Sequence, residues 1–298
     1  MRQLCSGGTS HLPFFRQRSL YLNPSPLRLG IVPYLNVLPL LHGLEATFPC
    51  ENWWRATPRE LARLLETEAI DAAIVSVFEG LRRPEALNLI PGAAIGCDGP
   101  VRSVALFSKV PLRTIRTVLL DNASLTSTHL ARILCADLMR IAPEFSISAT
   151  PLEPGYDWED APHDAFVAIG DTALSWEHRF PYVLDLGTGW KELTGMPFVF
   201  AAWWVRAGVT LHEAEVAAFA RAADGSGAAL DEVLAGVPST MVAQAGGKES
   251  LHQYLGEAIR YGLGAREISA LNLYRERLIV HRLLPANTNP YVIASWIP

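Results

Sequence analysis

The sequence predicts an α/β protein of two lobes with a ligand cleft between them. Short apolar strands alternate with amphipathic helices from residue 27 onward, which is the pattern of layered α/β folds. The length of 298 residues fits two domains of roughly 100–200 residues each. A strand signal returns at residues 197–205 after a complete second α/β run, which indicates that the second lobe is inserted into the first.

The first α/β run begins with an apolar strand at residues 27–32. A loop follows it and leads into a helical stretch that ends near Glu45. Pro58 then opens an amphipathic helix, because proline is favoured at the first helical position and three leucines recur on one face. Residues 71–77 are apolar almost throughout, as in a strand that is buried in a parallel sheet.

The second run repeats this order of elements. A strand at residues 115–120 precedes a polar turn and a helix over residues 128–141. A buried strand at residues 165–169 then leads into a short helix, and the strand at 197–205 follows. Beyond it, Ala-rich segments with capping signals predict three further helices. These helices cover residues 211–223, 227–235 and 248–278, with a break near residues 262–264.

These elements also predict where the lobes begin and end. Ligands of such proteins bind in the cleft, at the carboxyl ends of strands and at helix N-termini. The predicted division is a disordered tail at residues 1–26, a first lobe at residues 27–110 plus 203–280, a second lobe at residues 111–202, and a peripheral C-terminal extension at residues 281–298.

Composition and charge exclude several classes of function. Hydrophobic residues make up 50% of the chain and charged residues 18%, which excludes fibrous and disordered classes. The formal charge of −5 argues against binding of nucleic acid, which usually needs a basic face. No apolar run approaches the roughly 18 residues of a membrane span, so no membrane partner is expected. A small acidic ligand stays compatible with this charge, because a pocket can be electropositive within an acidic protein.

The N-terminal residues and the cysteines indicate a compartment. Residues 1–26 contain no apolar block of the roughly 7–15 residues that a secretory signal requires. The 4 cysteines are far apart and form no Cys-x-x-Cys pair, so we expect reduced thiols rather than a zinc site. These features predict a cytoplasmic protein. No residue cluster suggests a metal or an organic cofactor, and neither is predicted.

Four polar clusters each follow a predicted strand, where side chains face the cleft of such folds. The first contains Tyr34 and Asn36. The Asn36 amide offers donors and an acceptor without a charge, although an asparagine at this position can also be a turn residue or a helix cap. The second cluster contains Arg102 and Ser103. Alternation along a strand places these two side chains on opposite faces, and Ser103 is the favoured cleft residue.

The third cluster, at residues 121–127, opens a helix. The hydroxyl groups of Ser124, Thr126 and Ser127 and the free N–H groups of a helix N-terminus together predict a carboxylate site. Simple capping of the helix by one of these hydroxyls is the alternative. No glycine-rich phosphate loop of the Gly-x-x-x-x-Gly-Lys type accompanies the cluster.

The fourth cluster is Gly170 and Asp171, at the end of a buried strand. The Asp171 carboxylate either caps the helix that follows or contacts a ligand.

Five ordered segments of the chain resemble the chorismate dehydratases of the futalosine route to menaquinone. The similarity extends from about residue 27 to residue 278. In this chain Leu125 stands between a serine and a threonine where the family usually has an arginine. The matching segments are LGIVPYLNVLPL at residues 29–40, GPVRSV at 99–104, SLTS at 124–127, IGDTAL at 169–174, and DLG at 185–187 leading to WKELTGMPFVFA at 190–201.

The resemblance implies a fold like that of the type II periplasmic binding proteins and a hydro-lyase activity. Chorismate would lose its ring hydroxyl and the proton on the neighbouring, ether-bearing carbon, and would become 3-[(1-carboxyvinyl)oxy]benzoate. The resemblance supports Asn36 and Ser103 as the catalytic pair. The expected substrate contacts are Tyr34, Ser124, Thr126, Ser127, Gly170 and Asp171. Because the motif segments contain few bases, the hypothesis is that the enolpyruvyl carboxylate of the substrate itself accepts the ring proton.

Two other functions are compatible with the same fold. The first is 1,4-dihydroxy-6-naphthoate synthase of the same pathway, whose opening usually resembles Ser-Pro-x-Thr-x-Asp and differs from residues 33–36 here. The second is a non-catalytic solute-binding protein for a small carboxylate. That role requires export, which residues 1–26 do not indicate.

Overall fold

The computed structural model describes residues 27–298, and the predicted tail at residues 1–26 lies outside the described residues. The described chain forms two large β-sheets with helices packed around them, as the alternation of elements predicted. The strands in chain order are β1 (Leu29–Ile31), β2 (Trp53–Arg55), β3 (Ala72–Ser76), β4 (Leu87–Cys97), β5 (Val104–Ser108), β6 (Thr117–Leu120), β7 (Glu144–Ile147), β8 (Ala165–Ile169), β9 (Tyr182–Asp185), β10 (Phe198–Arg206), β11 (Leu211–His212), β12 (Arg260–Leu263), β13 (Val292–Ile293) and β14 (Trp296–Ile297). The α-helices are α1 (Leu38–Leu44), α2 (Pro58–Glu66), α3 (Val77–Arg82), α4 (Leu125–Leu134), α5 (Gly170–Trp176), α6 (Leu186–Thr194), α7 (Glu213–Gly225), α8 (Leu230–Ala235), α9 (Ser239–Gln244), α10 (Lys248–Gln253) and α11 (Ala265–Val280).

Helix α2 illustrates how the local sequence sets the ends of an element. The Thr57 backbone is extended, and its hydroxyl accepts a hydrogen bond from the Glu60 N–H at 3.3 Å. Pro58 occupies the first helical position, where its missing N–H costs no hydrogen bond. Leu61 and Leu65 lie four residues apart and are both buried. The helix predicted here from the leucine spacing is confirmed to within one residue at each end.

The first sheet has seven strands in the order β12-β4-β10-β3-β1-β2, with β13 also paired to β4. Strand β1 runs parallel to β2 and β3, whereas β10 runs antiparallel to β3 and β4. Every residue of β3 is buried, as its continuous apolar sequence predicted. The return of the chain through β10, at the centre of this sheet, joins the early and late parts of the sequence in one lobe.

The second sheet has five strands in the order β7-β6-β8-β5-β9. Strand β5 pairs antiparallel with β8 and β9, so the chain has already entered the second lobe by Val104. The crossing therefore lies between Cys97 and Val104, and the predicted crossing near residue 110 is wrong. Phe198 pairs with Cys97 in the first sheet, so the chain returns before residue 198 rather than at 203. Strands β5 and β10 are both apolar and buried, and such sequences do not reveal which sheet a strand joins.

The region after β10 differs in part from the predicted helices. The predicted helix at residues 248–278 is interrupted by a π-helical turn at Tyr254–Ala258 and by β12, which pairs antiparallel with β4. The extension at residues 281–298, predicted to be peripheral, contributes β13 to the first sheet and pairs β14 with β11. Strands of two to four residues are too short to show a periodicity in the sequence.

Close packing of large aromatic side chains holds the first lobe together. Trp203 and Trp204 of β10 are fully buried. Gly80 of α3 lies so near the Trp204 ring that a Cβ at this glycine would be 2.3 Å from it, so only a glycine fits. Among the described residues, no helix combines the length and the apolar character that crossing a lipid bilayer requires.

Candidate active site

The four predicted clusters meet at one small cavity between the two sheets. Strands β3 and β10 of the first sheet line one side, and the start of α4 and the end of β8 line the other. The cavity has a volume of about 60 Å³. Of the predicted site residues, those that line it are Tyr34, Asn36, Ser103, Ser124, Ser127 and Gly170. Thr126 and Asp171 do not line it.

Asn36 lies in a 3-10 turn (Leu35–Val37) that precedes α1. Helix α1 begins after Val37 and has no side-chain cap, so Asn36 does not cap it. The Oδ1 atom of Asn36 is buried and makes no hydrogen bond with regular geometry to the described residues. An uncharged amide with an unpaired buried oxygen is a group that is available to a ligand or to a neighbouring donor.

Tyr34 packs against the backbone of Gly170. A Cβ at Gly170 would lie 3.3 Å from the Tyr34 ring, and the φ angle of this glycine is +57°. Both observations explain why glycine occupies the start of α5. The Gly170 N–H donates a hydrogen bond of 2.7 Å to the carbonyl of Ser103, so the first, second and fourth clusters are in direct contact.

Ser103 follows a strained turn. The Ser103 N–H donates to the Val101 carbonyl at 2.7 Å, and Arg102 between them has a φ of +63°. This is a γ-turn with positive φ at its centre, a conformation that is rare and strained. The Asp185 carboxylate holds the turn by accepting hydrogen bonds from the N–H groups of Val101 and Arg102, the second at 2.6 Å.

The Arg102 side chain does not line the cavity, as predicted, but the reason is the γ-turn and not strand alternation, because β5 begins only at Val104. Its guanidinium binds Glu177 with two hydrogen bonds of 3.1 and 2.8 Å. The same guanidinium donates to the carbonyl and the hydroxyl of Ser250, at 2.9 and 2.8 Å. Arg102 therefore connects the turn before Ser103 to α5 and to α10, and it stabilises the position of Ser103 rather than the ligand.

The three hydroxyl groups of the third cluster have two different roles. Ser124 caps α4 by accepting a hydrogen bond from the Ser127 N–H at 3.3 Å, and the two hydroxyls lie 3.0 Å apart at the cavity. Thr126 is turned away and is fully buried. Its hydroxyl binds that of Ser76 and accepts a hydrogen bond from the Phe78 N–H at 3.2 Å. Two of the three hydroxyls are thus open to a ligand, and the third joins the lobes.

Two carboxylates lie behind the wall of the cavity. Burial raises the pKa of Asp171 to about 6, and the hydrogen bond from the Leu35 N–H lowers it only in part. Burial also raises the pKa of Asp121 to about 6, against the effect of the Ala123 N–H, which donates to it at 2.9 Å. Burial and then these two carboxylates raise the pKa of Tyr34, so its phenol stays protonated. Of the described residues that line the cavity, none is a lysine or an arginine.

A larger cavity of about 580 Å³ adjoins the small one. Pro58, Ser76 and Ala123 line both cavities, so the two spaces are neighbours. Leu125, at the position where the resembling family has an arginine, lines the larger cavity and not the smaller one. Two of the arginines around this larger space are paired with carboxylates, Arg63 with Glu60 at 2.6 Å and Arg82 with Glu79 at 2.7 Å.

The sequence patterns missed Ser76, which lines the cavity. Ser76 is the last residue of an apolar strand, and the four clusters also lie at strand ends, so its position could have suggested it. Within residues 27–298, no group of three or more His, Cys, Asp or Glu side chains is placed to hold a metal ion.

Solved structures place the fold among two-lobed ligand-binding proteins. The periplasmic aliphatic sulphonate-binding protein SsuA from Escherichia coli has a TM-score of 0.60 at 12% identity, with 93% of this chain and 96% of that chain covered. The ligand-binding component of an ABC-type import system from Staphylococcus aureus has a TM-score of 0.63 at 12% identity, with coverage of 91% and 97%. At this identity the likeness defines the fold, which is the binding-protein-like fold that the sequence predicted.

The family follows from sequence comparison. The profile of a family described as "Menaquinone biosynthesis" matches residues 27–279, and the chain belongs to this family. The chorismate dehydratase of Thermus thermophilus is 32% identical over 197 residues, which cover 60% of this chain and 69% of that protein. The chorismate dehydratase of Campylobacter jejuni is 30% identical over 180 residues, covering 58% of this chain and 64% of that protein.

Proposed function

We propose that this protein is a chorismate dehydratase, a hydro-lyase that converts chorismate to 3-[(1-carboxyvinyl)oxy]benzoate. Membership of the menaquinone biosynthesis family and the names of two relatives support this activity. The observation that carries the proposal is the placement of Asn36 and Ser103 at one cavity between the lobes, together with the Ser124 and Ser127 hydroxyls. A cytoplasmic location remains a prediction from the sequence.

The reaction needs little from the protein besides binding and orientation. The C–H bond on the ether-bearing ring carbon breaks, and its electron pair forms a ring double bond while the neighbouring C–O bond breaks. The enolpyruvyl carboxylate of the substrate takes the proton and passes it to the departing hydroxide, which leaves as water. Aromatisation of the ring supplies the driving force. Neutral donors such as Asn36 and Ser103 orient this carboxylate without the strong ion pair that would reduce its basicity.

The cavities set a condition on how the substrate enters. Sites for small organic ligands usually have volumes of about 300–1,000 Å³. The small cavity, at about 60 Å³, is well below that range, and the neighbouring larger one, at about 580 Å³, lies within it. We therefore propose that chorismate enters through the larger cavity and that its binding widens the smaller one by moving the lobes apart.

A single assay tests the activity. The purified protein is incubated with chorismate, and the products are separated by chromatography with mass detection. A product lighter by one water that keeps the enolpyruvyl group is expected. The Asn36→Asp variant should bind chorismate much more weakly, because it places a negative charge beside a carboxylate. Ser269→Ala, on the exposed side of α11, is the control and should behave as the unaltered protein.

Three outcomes would contradict the proposal or the placement of Asn36. Chorismate that binds but is recovered intact would favour a solute-binding role for the same cleft. Absence of both binding and turnover would remove chorismate as the ligand. Equal affinity of Asn36→Asp and the unaltered protein would refute the placement of Asn36 beside a carboxylate.

A further inference from the structure

The Ser103 hydroxyl is placed in the cavity by its backbone alone. Ser103 is fully buried, and its Oγ atom makes no hydrogen bond of regular geometry to the described residues. The backbone on either side is held by two short hydrogen bonds. The Ser103 N–H donates to the Val101 carbonyl at 2.7 Å, and the Ser103 carbonyl accepts from the Gly170 N–H at 2.7 Å. A group that fixes the turn at Val101 therefore also fixes the position of this hydroxyl.

The turn before Ser103 is strained and needs a partner outside itself. Arg102 at its centre has a φ of +63°, a left-handed conformation that residues other than glycine rarely adopt. Strain of this kind persists only where the surrounding structure compensates for it. The backbone hydrogen bonds that the turn makes with other parts of the chain are therefore expected to determine whether it keeps this shape.

The Asp185 carboxylate supplies this support. Its Oδ2 atom accepts hydrogen bonds from the N–H groups of Val101 and Arg102, at 3.0 and 2.6 Å. Hydrogen bonds to an ionised acceptor are roughly twice as strong as those between neutral groups. Asp185 ends β9 and pairs with Ala105 of β5, so the sheet itself holds the carboxylate beside the turn.

The same carboxylate also begins helix α6. Its Oδ1 atom accepts the Thr188 N–H at 2.9 Å, so Asp185 is the N-cap of this helix. The first turn of α6 lies directly against the segment that enters the second lobe. A Cβ at Gly187 would be 2.4 Å from the carbonyl oxygen of Gly99, which leaves room only for a glycine. The start of α6 and the turn before Ser103 are therefore packed as one unit, with Asp185 bonded to both.

We infer that Asp185 is a positioning residue for Ser103: its carboxylate holds the strained turn against the start of α6, so that the Ser103 hydroxyl stays in the cavity and is free to donate to a ligand. Asp185 does not line the cavity itself, so it acts through Ser103. The inference rests on the proposed function for the role of Ser103 and for the identity of the ligand.

Two substitutions separate the support of the turn from the capping of α6. In Asp185→Asn, the amide oxygen can still accept the Thr188 N–H, and asparagine is as good a helix cap as aspartate. Its NH₂ group cannot accept the Arg102 N–H, so the turn loses a hydrogen bond. Asp185→Ser is the second variant, because serine also caps helices well and is too small to push against the turn.

Asp164→Asn is the matched control. The Asp164 carboxylate also accepts hydrogen bonds from two successive backbone N–H groups of the second lobe, those of Arg116 and Thr117, at 2.8 and 3.1 Å. Asp164 precedes the first residue of β8, whereas Ile169 at the other end of this strand lines the cavity. The control therefore removes a similar backbone support at a distance from Ser103.

A double-mutant cycle tests whether Asp185 acts through Ser103. Each of the three variants is made alone and together with Ser103→Ala. The probe is the reaction product, 3-[(1-carboxyvinyl)oxy]benzoate, whose Kd is measured by calorimetry and, where binding is weak, by ligand-observed NMR. Turnover of chorismate and the thermal unfolding midpoint are measured alongside.

Both Asp185 variants are expected to weaken product binding about tenfold when Ser103 is present and less than about twofold in the Ser103→Ala background, because the hydrogen bond from its hydroxyl is then already absent. Asp164→Asn may lower the unfolding midpoint by as much but should change the Kd less than about twofold in either background.

An equal loss of affinity in both backgrounds, or no loss in either, would overturn the inference while leaving the proposed function intact. The inference would likewise be overturned if both Asp185 variants were unfolded at the assay temperature, since the carboxylate would then serve folding as a whole. If the unaltered protein neither binds the product nor converts chorismate, the proposed function fails and the inference fails with it.

Discussion

The hydroxyls of Ser76 and Thr126 are hydrogen-bonded to each other across the boundary between the two lobes. Ser76 ends β3 and precedes α3, and Thr126 lies in the first turn of α4. The Thr126 hydroxyl accepts a hydrogen bond from the Phe78 N–H at 3.2 Å, and the Ser76 hydroxyl accepts one from the Thr126 N–H at 3.0 Å. Each lobe therefore caps the first turn of a helix that belongs to the other.

Ser76→Ala should lower the free energy of unfolding by about 1–2 kcal/mol, because it removes a helix cap and a buried hydrogen bond together. Urea denaturation at neutral pH measures the change. Ser269→Ala, which removes an exposed hydroxyl within α11, should change stability by less than about 0.5 kcal/mol. Equal effects of the two substitutions would show that the contact between the lobes contributes nothing to stability.

Arg102→Lys should reduce the turnover of chorismate about tenfold, because a lysine cannot bind Glu177 and Ser250 at the same time with the planar geometry of a guanidinium. The steady-state rate of chorismate turnover measures this effect, and the thermal unfolding midpoint checks that the variant is folded. Arg63→Lys is the control, since Arg63 forms an exposed pair with Glu60 on α2. A rate for Arg102→Lys that equals that of the control would contradict a role of this arginine in placing Ser103.

Asp171→Asn should change the pH dependence of stability. Because burial raises the pKa of Asp171 to about 6, from an ordinary value of 3.8, the folded protein binds this proton more tightly than the unfolded chain does. The contribution of this group to the free energy of unfolding is therefore full below about pH 4 and is lost as the pH rises through about 6.

The Asp171→Asn variant lacks this loss. Its free energy of unfolding should exceed that of the unaltered protein by about 2–3 kcal/mol at pH 7, with little difference at pH 4. Denaturant titrations at the two pH values measure it. The control is Asp160→Asn, at an exposed position. Its free energy of unfolding should differ from that of the unaltered protein by the same amount at pH 4 and at pH 7. If Asp171→Asn differs from the unaltered protein by the same free energy of unfolding at both pH values, the Asp171 carboxyl has the same pKa in the folded and unfolded states.

Leu125→Arg restores the residue that the resembling family usually has. Leu125 lines the larger cavity and not the one that contains Asn36 and Ser103. We therefore expect turnover at saturating chorismate to change less than about threefold, with any effect confined to KM. A large rise in kcat would place the arginine of the family at the reacting end of the substrate.

Much of the fold follows from local patterns. The continuous apolar run of β3 and the leucine spacing of α2 predicted a buried strand and a surface helix, because burial imposes a period on the side chains of each element. The position of Asn36 and Ser103 next to strands was likewise sufficient to bring them to one cavity. The membership of β5 and β10 in particular sheets was not predictable, since their partners are far away in sequence.

The amino-acid sequence by itself determined the α/β class, the two-lobed plan and the strand ends at which Asn36, Ser103 and Gly170 lie, because those features depend on neighbours within a few residues. Only the tertiary structure decided that Thr126 faces Ser76 while Ser124 and Ser127 face the cavity. It also joined Arg102 to Ser250, which lies 148 positions later in the chain. The direction of a side chain and its distant partners depend on how the lobes pack, and no local periodicity encodes that packing.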